Sequence, residues 1–212
     1  MGHLPVIMFR PGSYSRISKY NRFSYLYDLM EIPVEFLWYS KWRKELFGNM
    51  SGRVLEVGVG TGKNIGYYPK DCEVVAIDIS DGMLAHAKKR SAGKKNASLL
   101  LMDAEHLGFK DNCFDFVVTT FVLCSIPEPI GALEEMKRVC KPEGMVINLE
   151  HMKSENRLIA FFEDLFNPVS SAITGVNINR ETVKNVKKAG LNVTDVTNMA
   201  LWDVFRMIKS KP

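Results

Sequence analysis

The sequence predicts an α/β protein: a doubly wound, mostly parallel seven-stranded sheet with an antiparallel hairpin at the C-terminus and a helical lid at the N-terminus. Three observations predict it. Short apolar runs at 53–57, 73–77, 98–102, 114–119 and 145–150 alternate with helix-like or polar segments, the pattern of parallel strands covered on both faces. The first run opens into Gly58-Val59-Gly60-Thr61-Gly62, which lets the backbone leave a strand sharply and enter a helix whose first N–H groups face a ligand. The chain has 212 residues, 46% of them apolar, enough for one domain with its own core. We divide it into a lid (1–50), a ligand-binding core (51–152), a helical insertion (153–178) and a C-terminal helix with strands (179–212).

Residues 1–50 stand outside the alternation. Ten aromatics (Tyr14, Tyr20, Phe23, Tyr25, Tyr27, Phe36, Trp38, Tyr39, Trp42 and Phe47) lie there, against 3 Trp, 7 Tyr and 12 Phe in the whole chain. That density predicts helices folded over the sheet edge as a substrate lid, although plain core helices also use aromatics. Arg10, Arg16, Lys19 and Arg22 are interleaved with Tyr14, Tyr20 and Phe23, a mixture that suits contact with an anionic membrane surface.

Within the core, the helix after the fourth strand is predicted to begin near Pro127-Glu128-Pro129. It carries Ile130, Leu133, Met136 and Cys140 at helical spacing, with Glu134, Glu135, Lys137 and Arg138 turned outward. The insertion, Leu158 to Pro168, is strongly apolar on a helical repeat and, with the lid, would roof an apolar pocket. Asn179 is placed to cap a helix running to Gly190. Residues 191–196 and 201–208 then read as the closing strand pair.

Asp78 ends the second strand, twenty positions after Gly58, where an acidic side chain can accept both hydroxyls of a ribose. A dinucleotide fingerprint requires a third glycine at position 63, which is Lys63, and no Walker loop forms because Lys63 is followed by Asn64. What stands instead is Glu56 before Gly58, Gly60 and Gly62. A carboxylate there would repel a pyrophosphate but suit a cationic amino-acid group, which favours S-adenosylmethionine over NAD. Asp103, ending the third strand, could accept from an adenine amino group.

These residues, with Asp103-Ala104-Glu105-x-Leu107, Asp111-x-Cys113-Phe114-Asp115 and Glu134-Glu135-x-x-Arg138-Val139-x-Lys141-Pro142-x-Gly144, closely resemble the class I S-adenosylmethionine-dependent methyltransferases from about Arg53 to His151. The nearest resemblance is to the small-molecule branch that includes quinone C-methyltransferases, soluble phosphatidylethanolamine N-methyltransferases and thiol methyltransferases. It implies S-adenosyl-L-methionine as cofactor. Gly58, Gly60, Gly62 and Asn64 would lie at its methionine part, Glu56 would orient the loop and the amino group, and Asp78 would hold the ribose. Ile79 and Met83 would flank the adenine, Asp103 and Ala104 would read its edge, and Thr119 or Thr120 with Phe121 would sit beside the sulfonium. The chain departs from the family at Pro142-Glu143-Gly144, where Pro-Gly-Gly is usual. Residues 121–126 lack the Gly-x-Arg-Asn of the quinone enzymes and look more like the thiol and phospholipid groups.

The expected function is methyl transfer to a small apolar or amphipathic acceptor: a lipid headgroup amine, a thiol or a quinol. An acceptor that must shed a proton could give it to His151, Tyr27 or Tyr20; the alternative for His151 is a strand-end histidine bonded to backbone. A non-catalytic adenosylmethionine-binding regulator and a NAD-dependent oxidoreductase are the rival readings. The net charge of +4 and the absence of an Asn/Asp-Pro-Pro-aromatic motif argue against nucleic-acid targets. Cys72, Cys113, Cys124 and Cys140 are spaced for neither a disulfide framework nor a structural metal. No run of ~18 apolar residues occurs, so a cytoplasmic protein is expected, touching a membrane only peripherally.

Overall fold

The computed structural model describes residues 38–212. Tyr20, Tyr27, the basic stretch 10–22 and most of the expected lid fall outside the described residues. The first described helix, α1 (Ser40–Phe47), buries Trp42, Arg43, Leu46 and Phe47, so this part of the aromatic stretch is core.

Seven strands form one sheet: β1 (Gly52–Val57), β2 (Cys72–Asp78), β3 (Ala97–Leu101), β4 (Phe114–Thr120), β5 (Cys140–His151), β6 (Asn192–Ala200) and β7 (Phe205–Lys211), in the order β3-β2-β1-β4-β5-β7-β6. β1 pairs in parallel with β2 and β4, β2 with β3, and β4 with β5; β7 runs antiparallel between β5 and β6. Strand order reverses between β1 and β4, which opens a crevice at their carboxyl ends. Side chains alternate across the pleat. Val54, Val74, Ala76, Val118 and Leu149 meet α1 and Ala87 of α2 (Asp81–Arg90) on one face. Leu55, Val57, Val75, Ile77 and Val117 meet α3 (Pro129–Val139) and α5 (Thr182–Lys188) on the other. The doubly wound expectation holds.

Several boundaries differ from the sequence reading. α3 stops at Val139, and Cys140 begins β5 in an extended conformation, because Pro142 disfavours helical geometry at Lys141. The hairpin turn falls at Leu201 and Trp202, both with positive φ, not inside the last strand. Asn179 caps no helix: its amide donates to Asp164 Oδ1 at 2.9 Å, and α5 starts after Glu181. The insertion forms α4 (Arg157–Thr174), which continues six residues past Pro168 between an Asn156 N-cap and a left-handed Gly175. Its stripe of Leu158, Phe161, Phe162, Leu165, Phe166, Val169 and Ile173 is exposed rather than turned into a pocket. Among the described residues no helix is long and apolar enough to cross a membrane.

Candidate functional site

The crevice at the carboxyl ends of β1 and β4 is lined by Arg43, Val57 to Thr61, Lys63 and Asn64 on the loop side. Asp78, Ile79, Met83, Met102 to Glu105 close one end, and Thr120 to Val122, Ser125 to Pro127 and Val176 close the other. Ten of the twelve expected cofactor residues therefore share one cleft: Gly58, Gly60, Asn64, Asp78, Ile79, Met83, Asp103, Ala104, Thr120 and Phe121. Glu56 and Gly62 lie behind it.

The loop is braced from within. Gly58 and Val59 donate to Ile77 O at 2.8 and 2.9 Å, extending the β1–β2 ladder past the end of the strand. Gly60 donates to Asp78 Oδ2 at 2.8 Å and Ser80 to Asp78 Oδ1 at 2.9 Å. Each carboxylate oxygen keeps acceptor capacity for a hydroxyl. Burial raises the Asp78 carboxyl above its usual range, and the N–H groups of Ser80, Gly60 and Ile79 hold it down. The helix expected after the loop is reduced to a 3-10 turn, Ile65–Tyr67, and Tyr68 is already extended before Pro69. The glycines differ in purpose. A Cβ on Gly62 (φ +88°) would lie 2.9 Å from Ala87 Cα, so Gly62 lets the loop pack on α2, whereas a Cβ on Gly60 (φ +54°) meets nothing within 4 Å. That open space at the cleft wall is where a ligand can approach backbone.

Behind the loop lies a buried polar chain. Glu56 accepts from Asn64 Nδ2 at 2.6 Å and from the Tyr68 hydroxyl. Asn64 Nδ2 also donates to Thr120 Oγ1 at 3.0 Å, and Arg43 Nη1 donates to Asn64 Oδ1. Burial pushes the Glu56 carboxyl to about 7 against the pull of Tyr68, Asn64 and Arg43. Glu56 thus reaches the cleft through Asn64, linking β1 to β4 and α1.

Sequence reasoning missed three contributors. Arg43 comes from α1, with no motif to mark it. Arg90, in a basic run at the end of α2, donates to Thr61 O at 2.7 Å and Thr61 Oγ1 at 2.6 Å, pinning the loop. Glu150 is wholly buried at the end of β5; it accepts from Thr119 Oγ1 at 2.7 Å, Val122 N at 3.0 Å and Leu123 N at 3.2 Å. It thereby shapes the turn that holds Phe121 at φ +58°, and burial raises its carboxyl to about 7. An acid directly before His151 was the available signal.

His151 is buried enough to lower its pKa and packs on Phe205 at 5.7 Å, which in turn meets Phe121 edge-on at 5.9 Å. It stands one ring behind the cleft lining. Tyr27 lies outside the described residues. Burial, reinforced by the Glu150 carboxylate, pushes the Cys124 thiol far up, which leaves it a poor nucleophile.

Residues 55–148 match the model of the methyltransferase domain family. A demethylmenaquinone methyltransferase of Staphylococcus aureus (strain MRSA252) is 38% identical over 135 residues, covering 58% of this chain and 55% of the relative; the chain spans about half the length of the curated relatives it matches. A SAM-dependent methyltransferase from Thermotoga maritima superposes with TM-score 0.71 at 20% identity, covering 92% of this chain and 98% of that one. A SAM-dependent methyltransferase from Aquifex aeolicus gives TM-score 0.61 at 23% identity, covering 96% and 98%. At these identities the solved structures establish the fold.

Proposed function

Because residues 55–148 match the model of the methyltransferase domain family, we propose that this protein is a class I methyltransferase, transferring a methyl group from S-adenosylmethionine to a small apolar or amphipathic acceptor. The observation that carries this reading is the cleft at the sheet's reversal point, where Asp78 is aimed by Gly60 N and Ser80 N while Gly60 leaves its wall open. The residues fit the group. Asp78 would accept the ribose hydroxyls, Ile79 and Met83 would pack on the adenine, Asp103 and Ala104 would meet its edge, and Thr120 and Phe121 would border the reacting end. When bound, the cofactor supplies an electrophilic methyl group on a sulfonium.

The chain's own contribution is positioning. Displacement needs the acceptor ~3 Å from the methyl carbon and in line with the leaving sulfur. Phe121, Val122, Ile126, Pro127 and Val176 give that end of the cleft an apolar wall, which excludes water from a positive centre that becomes neutral as the methyl leaves. Such a wall suits a quinol, a thiol or a lipid headgroup, and the likeness to a demethylmenaquinone methyltransferase puts the quinol first to be assayed. His151, whose pKa burial lowers, or Tyr27 would take the acceptor's proton through water. The aromatic and basic N-terminal stretch would bring the protein to lipid-borne acceptors, and unchanged liposome binding on deletion of residues 1–25 would remove that part.

The deciding experiment is calorimetric binding and thermal stabilisation with S-adenosylmethionine, S-adenosylhomocysteine and NAD side by side. Binding of the two adenosyl compounds alone is expected. Turnover with a quinol, thiol or phosphatidylethanolamine panel then separates an enzyme from a non-catalytic binder; NAD binding alone would overturn the reading.

A further inference from the structure

A turn from outside the matched span completes the apolar end of the cleft. Segment 121–127, after β4, supplies Phe121, Val122, Ile126 and Pro127 to the wall, and Val176 joins them from just past α4, beyond the residues 55–148 of the family match. The turn 176–180 is fastened on two sides. Toward α4, the Val176 carbonyl accepts from Ser170 Oγ at 3.1 Å, Ile178 N donates to Asn167 Oδ1 at 2.9 Å, and Asn179 Nδ2 donates to Asp164 Oδ1 at 2.9 Å. Toward the wall, Asn177 donates twice to the Cys124 carbonyl, from N at 2.9 Å and from Nδ2 at 3.2 Å, and Arg180 Nη2 donates to Ile126 O at 2.9 Å. Both lone pairs of the Cys124 carbonyl are thereby used. The same segment has its Val122 and Leu123 N–H groups held by Glu150.

Resting on the proposed function, we infer that this turn sets the width of the acceptor end: Val176 is the specificity-determining side chain, and Asn177 is the positioning residue that fixes it against the wall. Turn and wall are joined backbone to backbone through the Asn177 N–H, so Val176, one residue earlier, cannot retreat without breaking that bond. On the other side Asn167 and Ser170 tie the turn to α4. Gly175, in the left-handed region at φ +81°, lets the chain leave the helix directly into the turn. The space between Val176 and 121–127 is therefore held at both rims, and it discriminates by size because neither hydrogen-bonded side yields cheaply. In an apolar pocket one methylene too many or too few is worth roughly 10- to 200-fold in specificity. Narrow acceptors are favoured over wide ones, and the choice rests on residues that the family match does not cover.

The test uses the full chain, S-adenosylmethionine and acceptor pairs that differ in width: thiophenol with 2-naphthalenethiol, 1,4-benzohydroquinone with 1,4-naphthohydroquinone, and phosphatidylethanolamine with its N-monomethyl derivative. For whichever pair the unaltered protein methylates, Val176→Ala should raise kcat/KM of the wider member relative to the narrower by roughly 10-fold, and Val176→Phe should lower it by a similar factor. Asn177→Asp keeps the side-chain size but sets an oxygen against the Cys124 carbonyl. It should raise the acceptor KM roughly 10-fold and move the width ratio in the same direction as Val176→Ala, while S-adenosylhomocysteine affinity by calorimetry stays within about 2-fold, as for an independent site. A width ratio unchanged by both Val176 variants overturns the inference. So does an Asn177→Asp protein that loses kcat and cofactor affinity together at constant ratio, the mark of a purely structural role. If no member of the panel is methylated, the proposed function falls along with the inference, whereas turnover at a constant ratio removes the inference alone.

Discussion

Gly60 and Gly62 are two residues apart in one loop, both with positive φ, and substitution by alanine should separate folding from binding. For Gly62→Ala the new methyl lies 2.7 Å from Ile65 Cδ1, 2.9 Å from Ala87 Cα and 3.1 Å from Ala87 Cβ. Ile65 can rotate, but Ala87 is backbone within α2 and fully buried, so the helix itself must shift. A left-handed alanine costs ~1–2 kcal/mol and overpacking ~1–3 kcal/mol, giving about 3 kcal/mol together. For a domain of this size that is a fall in Tm of roughly 6–12 °C. Gly60→Ala carries only the backbone cost of ~1–2 kcal/mol, because its methyl meets nothing within 4 Å, and Tm should fall by ~2–8 °C. Its methyl enters the cleft, however, and should weaken S-adenosylhomocysteine at least 10-fold beyond what Gly62→Ala does in its folded fraction. Differential scanning calorimetry with and without ligand reads both quantities. A Gly62→Ala protein as stable as Gly60→Ala, or a Gly60→Ala protein that binds ligand normally, would refute the division of labour.

Three further outcomes are expected. Asp78→Asn should retain the fold, since the Asn Oδ1 can still accept from Ser80 N or Gly60 N, but should lose about 10-fold or more in cofactor affinity, measured by calorimetry. Glu150 titrates near 7 in the folded state against 4.5 normally; the folded protein therefore holds the proton more tightly, its contribution is present at low pH and fades as pH rises from about 4.5 to 7. His151, with its lowered pKa, acts oppositely below 6.5, so the readout is the difference between the unaltered protein and Glu150→Gln: the Tm drop between pH 5 and pH 7.5 should be smaller in the variant, and an equal drop would discard the assignment. Arg138 binds Glu135, Asp111, Leu107 O and Phe109 O, tying α3 to the segment after β3; Arg138→Ala should cost ~2–3 kcal/mol and Arg138→Lys nearly as much, seen as a shifted urea midpoint with unchanged slope.

The parts of this protein that can be read in sequence are those governed by local backbone demands. Five parallel strands were legible because burial on both faces leaves little but apolar residues in them, and Asp78 because the geometry of a strand, a glycine turn and the next strand fixes where a ribose-binding acid must come. Boundaries failed where one residue dictated the local conformation: Pro142 for the start of β5, Leu201 and Trp202 for the hairpin. The site residues that escaped reach the cleft through tertiary contact alone. Arg43 arrives on a helix eleven positions before Val54 of β1, Arg90 from the last turn of α2, Glu150 from the strand on the far side of β4. Each is a charged residue in an ordinary-looking segment, and only the folded sheet shows that all three act on the two loops facing each other across the β1–β4 reversal. Glu56 makes the same point from the other side. Its place beside the glycines was readable, but its use was not: being wholly buried it acts through Asn64, so the sequence motif records a brace of the loop.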